Sequence, residues 1–169
     1  YATIDIEFTN IAPHDVAVAM WDEYDNLIEA TGQMTWQIYE DQTVELTARA
    51  EDSIDDLSDL SYEWSFGTTT DGRESRVSTV WNDEGMKTVL VRAIDSEGED
   101  SGWGERWVDV QNVDPQVEEL SEVMSVAEGQ SVSLNGKAWD SPSDMDSLIV
   151  CWDIDPGADT DGIGSADDD

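Results

Sequence analysis

Residues 40–64 read EDQTVELTARAEDSIDDLSDLSYEW, and residues 128–152, 88 positions on, read EGQSVSLNGKAWDSPSDMDSLIVCW. The two align without a gap. Val44, Leu46, Ala50, Asp52, Leu60 and Trp64 recur as Val132, Leu134, Ala138, Asp140, Leu148 and Trp152. In the first copy Val44, Leu46, Ala48 and Ala50 alternate with polar residues, and Tyr62, Trp64 and Phe66 alternate in the next run. Strict alternation over about 4–8 residues marks a half-buried strand. The Asp- and Ser-rich stretch between the runs reads as a turn. A supersecondary unit met twice predicts a tandem array of one module.

A second echo sets the boundaries. Asn10-Ile11-Ala12-Pro13 returns as Asn112-Val113-Asp114-Pro115, now 102 positions on. Residues 1–13, with Ile4, Ile6 and Phe8 alternating, then read as the closing strand of a preceding module. Residues 14–112 read as one complete module, and residues 113–169 as the N-terminal half of the next. The two offsets differ by 14 residues, which places an insertion, a hairpin or loop, within about 14–40. The chain opens without Met or a signal peptide, as an internal or processed segment would.

Further strands are expected over Arg76–Trp81, Thr88–Ile94 and Trp107–Gln111, and over Ser131–Ala138 and Leu148–Ile154 in the second copy. Asp15–Ala30 and Pro115–Val126 have near-helical spacing, but strands are favoured in both, with a hairpin tip at Asp25-Asn26. Close-spaced strands separated by Gly, Asp and Ser turns predict an all-β fold of tandem Ig-like antiparallel β-sandwich modules.

Composition narrows the function classes. The chain carries 41 acidic and 7 basic residues, a net charge of −34. Binding nucleic acid needs clustered Lys and Arg, so nucleic acid is excluded as a partner, and anionic membranes with it. Cations are the natural counterpart, and a marine or saline medium would screen the self-repulsion. The 8 Trp and 4 Tyr compensate for a lean apolar fraction of 38%. No stretch approaches the roughly 20 apolar residues of a membrane span. Cys151 stands alone in an apolar run and reads as a small buried hydrophobe.

The motifs after the first repeat add a family. Trp64-Ser65-Phe66-Gly67 is followed by Asp71-Gly72, Val80-Trp81, Glu84-Gly85-Met86-Lys87-Thr88-Val89 and Asp95-Ser96-Glu97-Gly98. In order and spacing, from about Gln42 to Val110, this resembles the PKD family of Ig-like sandwiches. That family shows a Trp-x-Phe-Gly-x-Gly turn, a Pro-Gly-x-Tyr-x-Val strand entry and a closing Asp-x-x-Gly turn. Glu84 stands where the family has Pro, Lys87 where it has an aromatic, and Thr68–Thr70 lengthens the glycine turn. The second copy, Trp152-Asp153-Ile154-Asp155, lacks the Phe-Gly. The resemblance implies a binding or spacing unit of cell-surface proteins, S-layers or secreted hydrolases. Gly67 and Gly72 suit a turn of positive φ, and Trp64 a plug between two sheets.

Catalysis finds no support in the residue pattern. His14 is the one histidine, and carboxylate pairs are too common to single out a dyad. Ca2+, which takes six to eight oxygen ligands, fits the composition better. Asp52, Asp55, Asp56 and Asp59 crowd the turn of the first copy, and Asp140, Asp144 and Asp146 that of the second. Repulsion within such a turn disfavours folding without a cation. The tail resembles thrombospondin type 3 and EF-hand-like loops, with Asp159, Asp161 and Gly162 at positions 3, 5 and 6 and Asp168 at position 12. Position 1 falls on Gly157, which has no ligand atom. A third pattern is aromatic: Trp21, Tyr24, Trp36, Trp103 and Trp107 are candidates for a platform that binds sugar or protein.

These readings converge on a non-catalytic structural or adhesive module of an extracellular or cell-surface protein (S-layer, adhesin or filament), stabilised by Ca2+. Its partners would be neighbouring modules or copies of itself, polysaccharide or cell-surface protein. An accessory binding module of a secreted hydrolase is an alternative, which requires the aromatic platform. A fibre subunit joined by strand complementation is another.

Overall fold

Trp64 is fully buried between two four-stranded sheets, and the first unit is organised around it. The computed structural model describes residues 7, 9–32, 34–67, 72–118, 125 and 127–152. The chain divides into two compact units, Tyr1–Asn112 and Val113–Asp169. Every regular element among the described residues is a strand.

The strands of the first unit are β1 (His14–Asp22), β2 (Leu27–Ile28), β3 (Thr35–Tyr39), β4 (Val44–Glu51), β5 (Ser61–Ser65), β6 (Arg76–Thr79), β7 (Gly85–Ile94) and β8 (Gly104–Gln111). One sheet has the order β2-β1-β4-β6 and the other β3-β8-β7-β5. The result is an Ig-like β-sandwich. Alternation decides the inner faces, because successive side chains of a strand point to opposite sides. Val44, Leu46 and Ala48 of β4 face Val89, Val91 and Ala93 of β7 and Val108 and Val110 of β8 within one core, joined by Met20, Trp36, Ile38 and Tyr62. Burying each of the larger of these side chains stabilises the fold by about 1.5–3 kcal/mol.

One pairing departs from an all-antiparallel plan. β3 runs parallel to β8, with Trp36 opposite Val108 and Ile38 opposite Val110. The chain crosses to the first sheet directly after β3, through a turn in which Asp41 has φ of 57° and its N–H donates to the Trp81 carbonyl at 2.8 Å. The Asp15–Ala30 region forms the favoured hairpin. Asp22 closes it: its carboxylate accepts the N–H groups of Tyr24 and Asn26 at 2.9 and 2.8 Å and the Asn26 amide. These bonds, the Asn26 amide first, hold the Asp22 carboxyl below its ordinary pKa.

Trp64 sits on an edge strand rather than a central one. Its free side is covered by Gly72, which accepts the Trp64 N–H at 3.0 Å, while the indole Nε1 donates to the Glu74 carbonyl at 2.8 Å. The expected positive φ at Gly67 and Gly72 is absent; among the described residues the glycines of positive φ are Gly32, Gly85, Gly98, Gly102 and Gly129. Gly72 is required for space instead. A Cβ there would lie 2.5 Å from Val77 Cγ1 and 3.6 Å from Trp64 Cδ1.

In the second unit β9 (Gln116–Val117) pairs antiparallel with β10 (Ala138–Trp139). Their register places Gln116 opposite Trp139. In the first unit His14 stands opposite Glu51, and the offsets of 102 and 88 carry one pair onto the other. The strands expected over Ser131–Ala138 and Leu148–Ile154 shrink to β10 among the described residues. Alternation assigns faces, but a strand forms only against a partner. β4 has β1 and β6, and β5 has β7, whereas among the described residues β9 and β10 have only each other. Cys151, expected buried, is exposed; it aligns with Glu63, on the outer side of β5. The segments 1–6 and 153–169, with the strand of Ile4, Ile6 and Phe8 and the loop of Asp159, Asp161 and Asp168, lie outside the described residues.

Candidate cation-binding loops and aromatic surface

The two acidic turns adopt one hydrogen-bond pattern. After β4, Asp52 accepts the Ser53 N–H at 2.7 Å. The Ser53 carbonyl then accepts the N–H groups of Asp56 and Leu57 at 3.1 and 3.2 Å, and the Asp56 carbonyl accepts that of Asp59 at 2.9 Å. After β10, Asp140 accepts the Ser141 N–H at 2.8 Å. The Ser141 carbonyl accepts Asp144 and Met145 at 3.0 and 3.1 Å, and the Asp144 carbonyl accepts Ser147 at 2.9 Å. Each of these bonds to a backbone N–H thus recurs 88 residues later. Asp and Ser favour such turns because their side chains bond to the backbone next to them.

The carboxylates are disposed unevenly. Asp52 Oδ2 is buried with no hydrogen-bond partner among the described residues. Asp56 accepts the Ser53 hydroxyl at 2.6 Å, and Asp55 and Asp59 face solvent. Asp140 and Asp144 bring carboxylate oxygens within 4.8 Å of each other, while Asp146 is exposed. Three carboxylates of the first loop do not converge to that distance. His14, Asp15 and Glu51 do, all three exposed, with His14 Nδ1 3.0 Å from Asp15 Oδ2. Cross-strand register joins His14 to Glu51, a neighbourhood that residue spacing along the chain does not reveal.

The aromatic candidates separate. Trp36 is a core residue, 4% exposed, because β3 turns it inward beside Ile38; it belongs to no surface platform. Trp21 lies half-buried on the outer face of β1, its Nε1 donating to Thr47 Oγ1 at 3.1 Å. Trp107 is half-buried on the outer face of the other sheet, in register with Thr88 and Thr35. Tyr24 is exposed at the hairpin turn, and Glu23, by a hydrogen bond and by its charge, raises its hydroxyl pKa. Trp103 is exposed, but the Arg92 guanidinium covers its ring at 4.7 Å from the centroid. The five therefore do not form one flat strip.

Two polar features on the first unit escaped the sequence reading. Glu63, 8% exposed, accepts Arg92 Nε and NH2 at 2.9 and 2.6 Å and pairs with Arg73 at 3.1 Å. That hydrogen bond to Glu63 outweighs burial and holds the Arg92 pKa above its ordinary value. Asp95, also buried, accepts Asn10 Nδ2 at 2.7 Å and the Glu99 N–H at 2.8 Å. Burial alone would raise its pKa, but these bonds and the N–H groups of Gly98 and Glu97 lower it.

No protein-family model and no curated protein sequence matches the chain. Solved structures do. The PKD domain of an M14-like peptidase from Thermoplasmatales archaeon SCGC AB-540-F20 is similar over 60% of this chain and 98% of its own, with 20% identity and a TM-score of 0.42. The extracellular domain of a hybrid two-component system from B. thetaiotaomicron is similar over 59% of this chain and 15% of its own, with 14% identity and a TM-score of 0.48.

Proposed function

We propose that this chain is a non-catalytic structural or adhesive module of an extracellular or cell-surface protein, built of successive β-sandwich units and stabilised by Ca2+ at the turn that follows β4 and its counterpart after β10. The observation that carries the reading is Asp52 Oδ2, buried without a hydrogen-bond partner among the described residues, in a turn that also holds Asp55, Asp56 and Asp59. An unpaired carboxylate oxygen costs several times what an ordinary hydrogen bond returns. A hard divalent cation, which takes carboxylate, hydroxyl and carbonyl oxygens, removes that cost. The same backbone pattern around Asp140 supports one device used twice. The pair His14–Glu51, which the offsets of 102 and 88 carry onto Gln116–Trp139, supports successive units of one kind.

The test is thermal unfolding of the chain in Ca2+, in chelator, and in NaCl at matched ionic strength. Ca2+ is expected to raise Tm by several degrees, since about 1 kcal/mol moves Tm by roughly 4–8 °C in a domain of this size. Asp52→Asn combined with Asp140→Asn is expected to remove most of the gain. If Ca2+ does no more than matched NaCl, the cation reading fails. If the gain survives both substitutions, the ion is held elsewhere, and His14, Asp15 and Glu51 are the next ligands to change.

A further inference from the structure

The start of β1 and the end of β4 bring together donors of a different kind from those of the acidic turns. His14 stands opposite Glu51 in the antiparallel ladder, so the two side chains leave the same face of the sheet. Ordinary alternation would send Asp15 to the other face. A register shift between His14 and Ala17, with Asp15 at φ of 53°, turns it back beside His14 instead. Re-aiming a side chain is a common use of a β-bulge. One ligand atom from each of His14, Asp15 and Glu51 then lies within 4.8 Å of the other two.

The donor set selects the ion. An imidazole with two carboxylates suits Zn2+ and its transition-metal neighbours, whereas Ca2+ takes oxygen ligands. In a tetrahedral Zn2+ site with bonds of about 2.0–2.1 Å, ligand atoms sit ~3.3 Å apart. His14 Nδ1 and Asp15 Oδ2, at 3.0 Å, already stand near that spacing. Glu51 is exposed and closes on them by a change of rotamer. Among the described residues no Lys or Arg pairs with Asp15 or Glu51, so a cation is left to relieve their repulsion. The second unit lacks the set: Gln116 and Trp139 stand at the positions that the offsets carry from His14 and Glu51. His14 is also the one histidine of the chain. The set therefore occurs once, while the acidic turn occurs twice.

We infer that His14, Asp15 and Glu51 bind one transition-metal dication of the Zn2+ class, which clamps the start of β1 to the end of β4. The inference rests on the imidazole and is independent of the Ca2+ reading. The full chain, without an affinity tag and in millimolar Ca2+ to fill sites made of oxygen alone, is titrated with Zn2+ by calorimetry, and the His14 ring is followed by NMR. One equivalent is expected to bind, with the ring signals of His14 moving in step. His14→Ala and Glu51→Gln, both at exposed positions that the fold tolerates, are each expected to weaken binding by at least about tenfold, since losing even a partner of a ligand costs that much. Asp15→Gly removes a ligand yet suits the positive φ, so it is expected to weaken binding without lowering Tm in chelator, which separates lost ligation from lost structure. Asp52→Asn with Asp140→Asn is expected to leave Zn2+ binding unchanged, so the failure of one site is told from the failure of the other. Absence of saturable binding in Ca2+ overturns the inference. Binding that keeps its strength in His14→Ala also overturns it, by showing that the acidic surface alone holds the ion.

Discussion

Gly72 and Trp64 meet at the one place where a missing Cβ decides the packing. Any side chain at position 72 must displace Val77, whose Cγ1 would lie at 2.5 Å. Valine is stiff at χ1 and is held in register opposite Leu46, so the clash is not relieved by a rotamer change alone. Gly72→Ala is expected to cost about 1–3 kcal/mol, the range for overpacking a core, read as a lower urea midpoint at unchanged slope. Ala at Gly67, where nothing lies within 4 Å, serves as the neutral control. Asp95 makes a second residue-scale prediction. Its folded pKa is lowered, so the carboxylate contributes stability above the ordinary Asp value of about 3.9. That contribution is lost as pH falls through the lowered folded value. The stability difference between the wild type and Asp95→Asn should be constant from pH 7 to 5 and close below about pH 4. A difference that persists unchanged at pH 2 would show that Asp95 acts by shape rather than charge.

At the scale of elements, β5 is tied to β7 through Glu63 as well as through its ladder. Glu63 stands opposite Arg92 in register and is held by both Arg92 and Arg73. Arg92 also bonds Asp100 at 3.0 Å and covers Trp103. Removing Arg92 leaves Glu63, nearly buried, with Arg73, whose side chain is 75% exposed. Hydrogen bonds to charged groups contribute about 1.5–3 kcal/mol, so Arg92→Ala is expected to cost about 2–3 kcal/mol in urea unfolding. A loss below about 0.5 kcal/mol would place this pair with ordinary surface ion pairs. None of this is visible along the chain, because residues 63 and 92 meet only through strand pairing. What the alternation of β4, β7 and β8 did reveal was the inner face, residue by residue. The same alternation was present in Thr35–Tyr39, but assigned to an insertion it concealed that Trp36 is core. The turn after β4 was legible as a turn, since Asp and Ser make one locally; which of its oxygens lies buried depends on packing that no spacing encodes.

For the molecule as a whole, the question is which electrostatic effect dominates. Screening weakens both the attractive pairs and the repulsion among 41 acidic residues faced by 7 basic ones. The attractive side is small. Arg76 with Asp25 and Glu45, and Lys137 with Glu118, are pairs in which the basic side chain is at least half exposed, each contributing about 0–1 kcal/mol. The Glu63–Arg92 pair is shielded and loses little to salt. The repulsive side grows with the number of like-charged pairs, and at low salt it extends over about 30 Å, falling to about 3 Å at 1 M. Repulsion therefore dominates, and Tm is expected to rise steadily from 0.01 to 1 M NaCl, most steeply at the low end. Scanning calorimetry in NaCl and KCl checks this, since screening by monovalent ions depends on ionic strength and not on the cation. A flat or falling Tm would mean that the few ion pairs outweigh the acidic surface. A rise in NaCl with a further, saturable rise at low Ca2+ would separate the general screening of this surface from a site that takes the ion by its ligands.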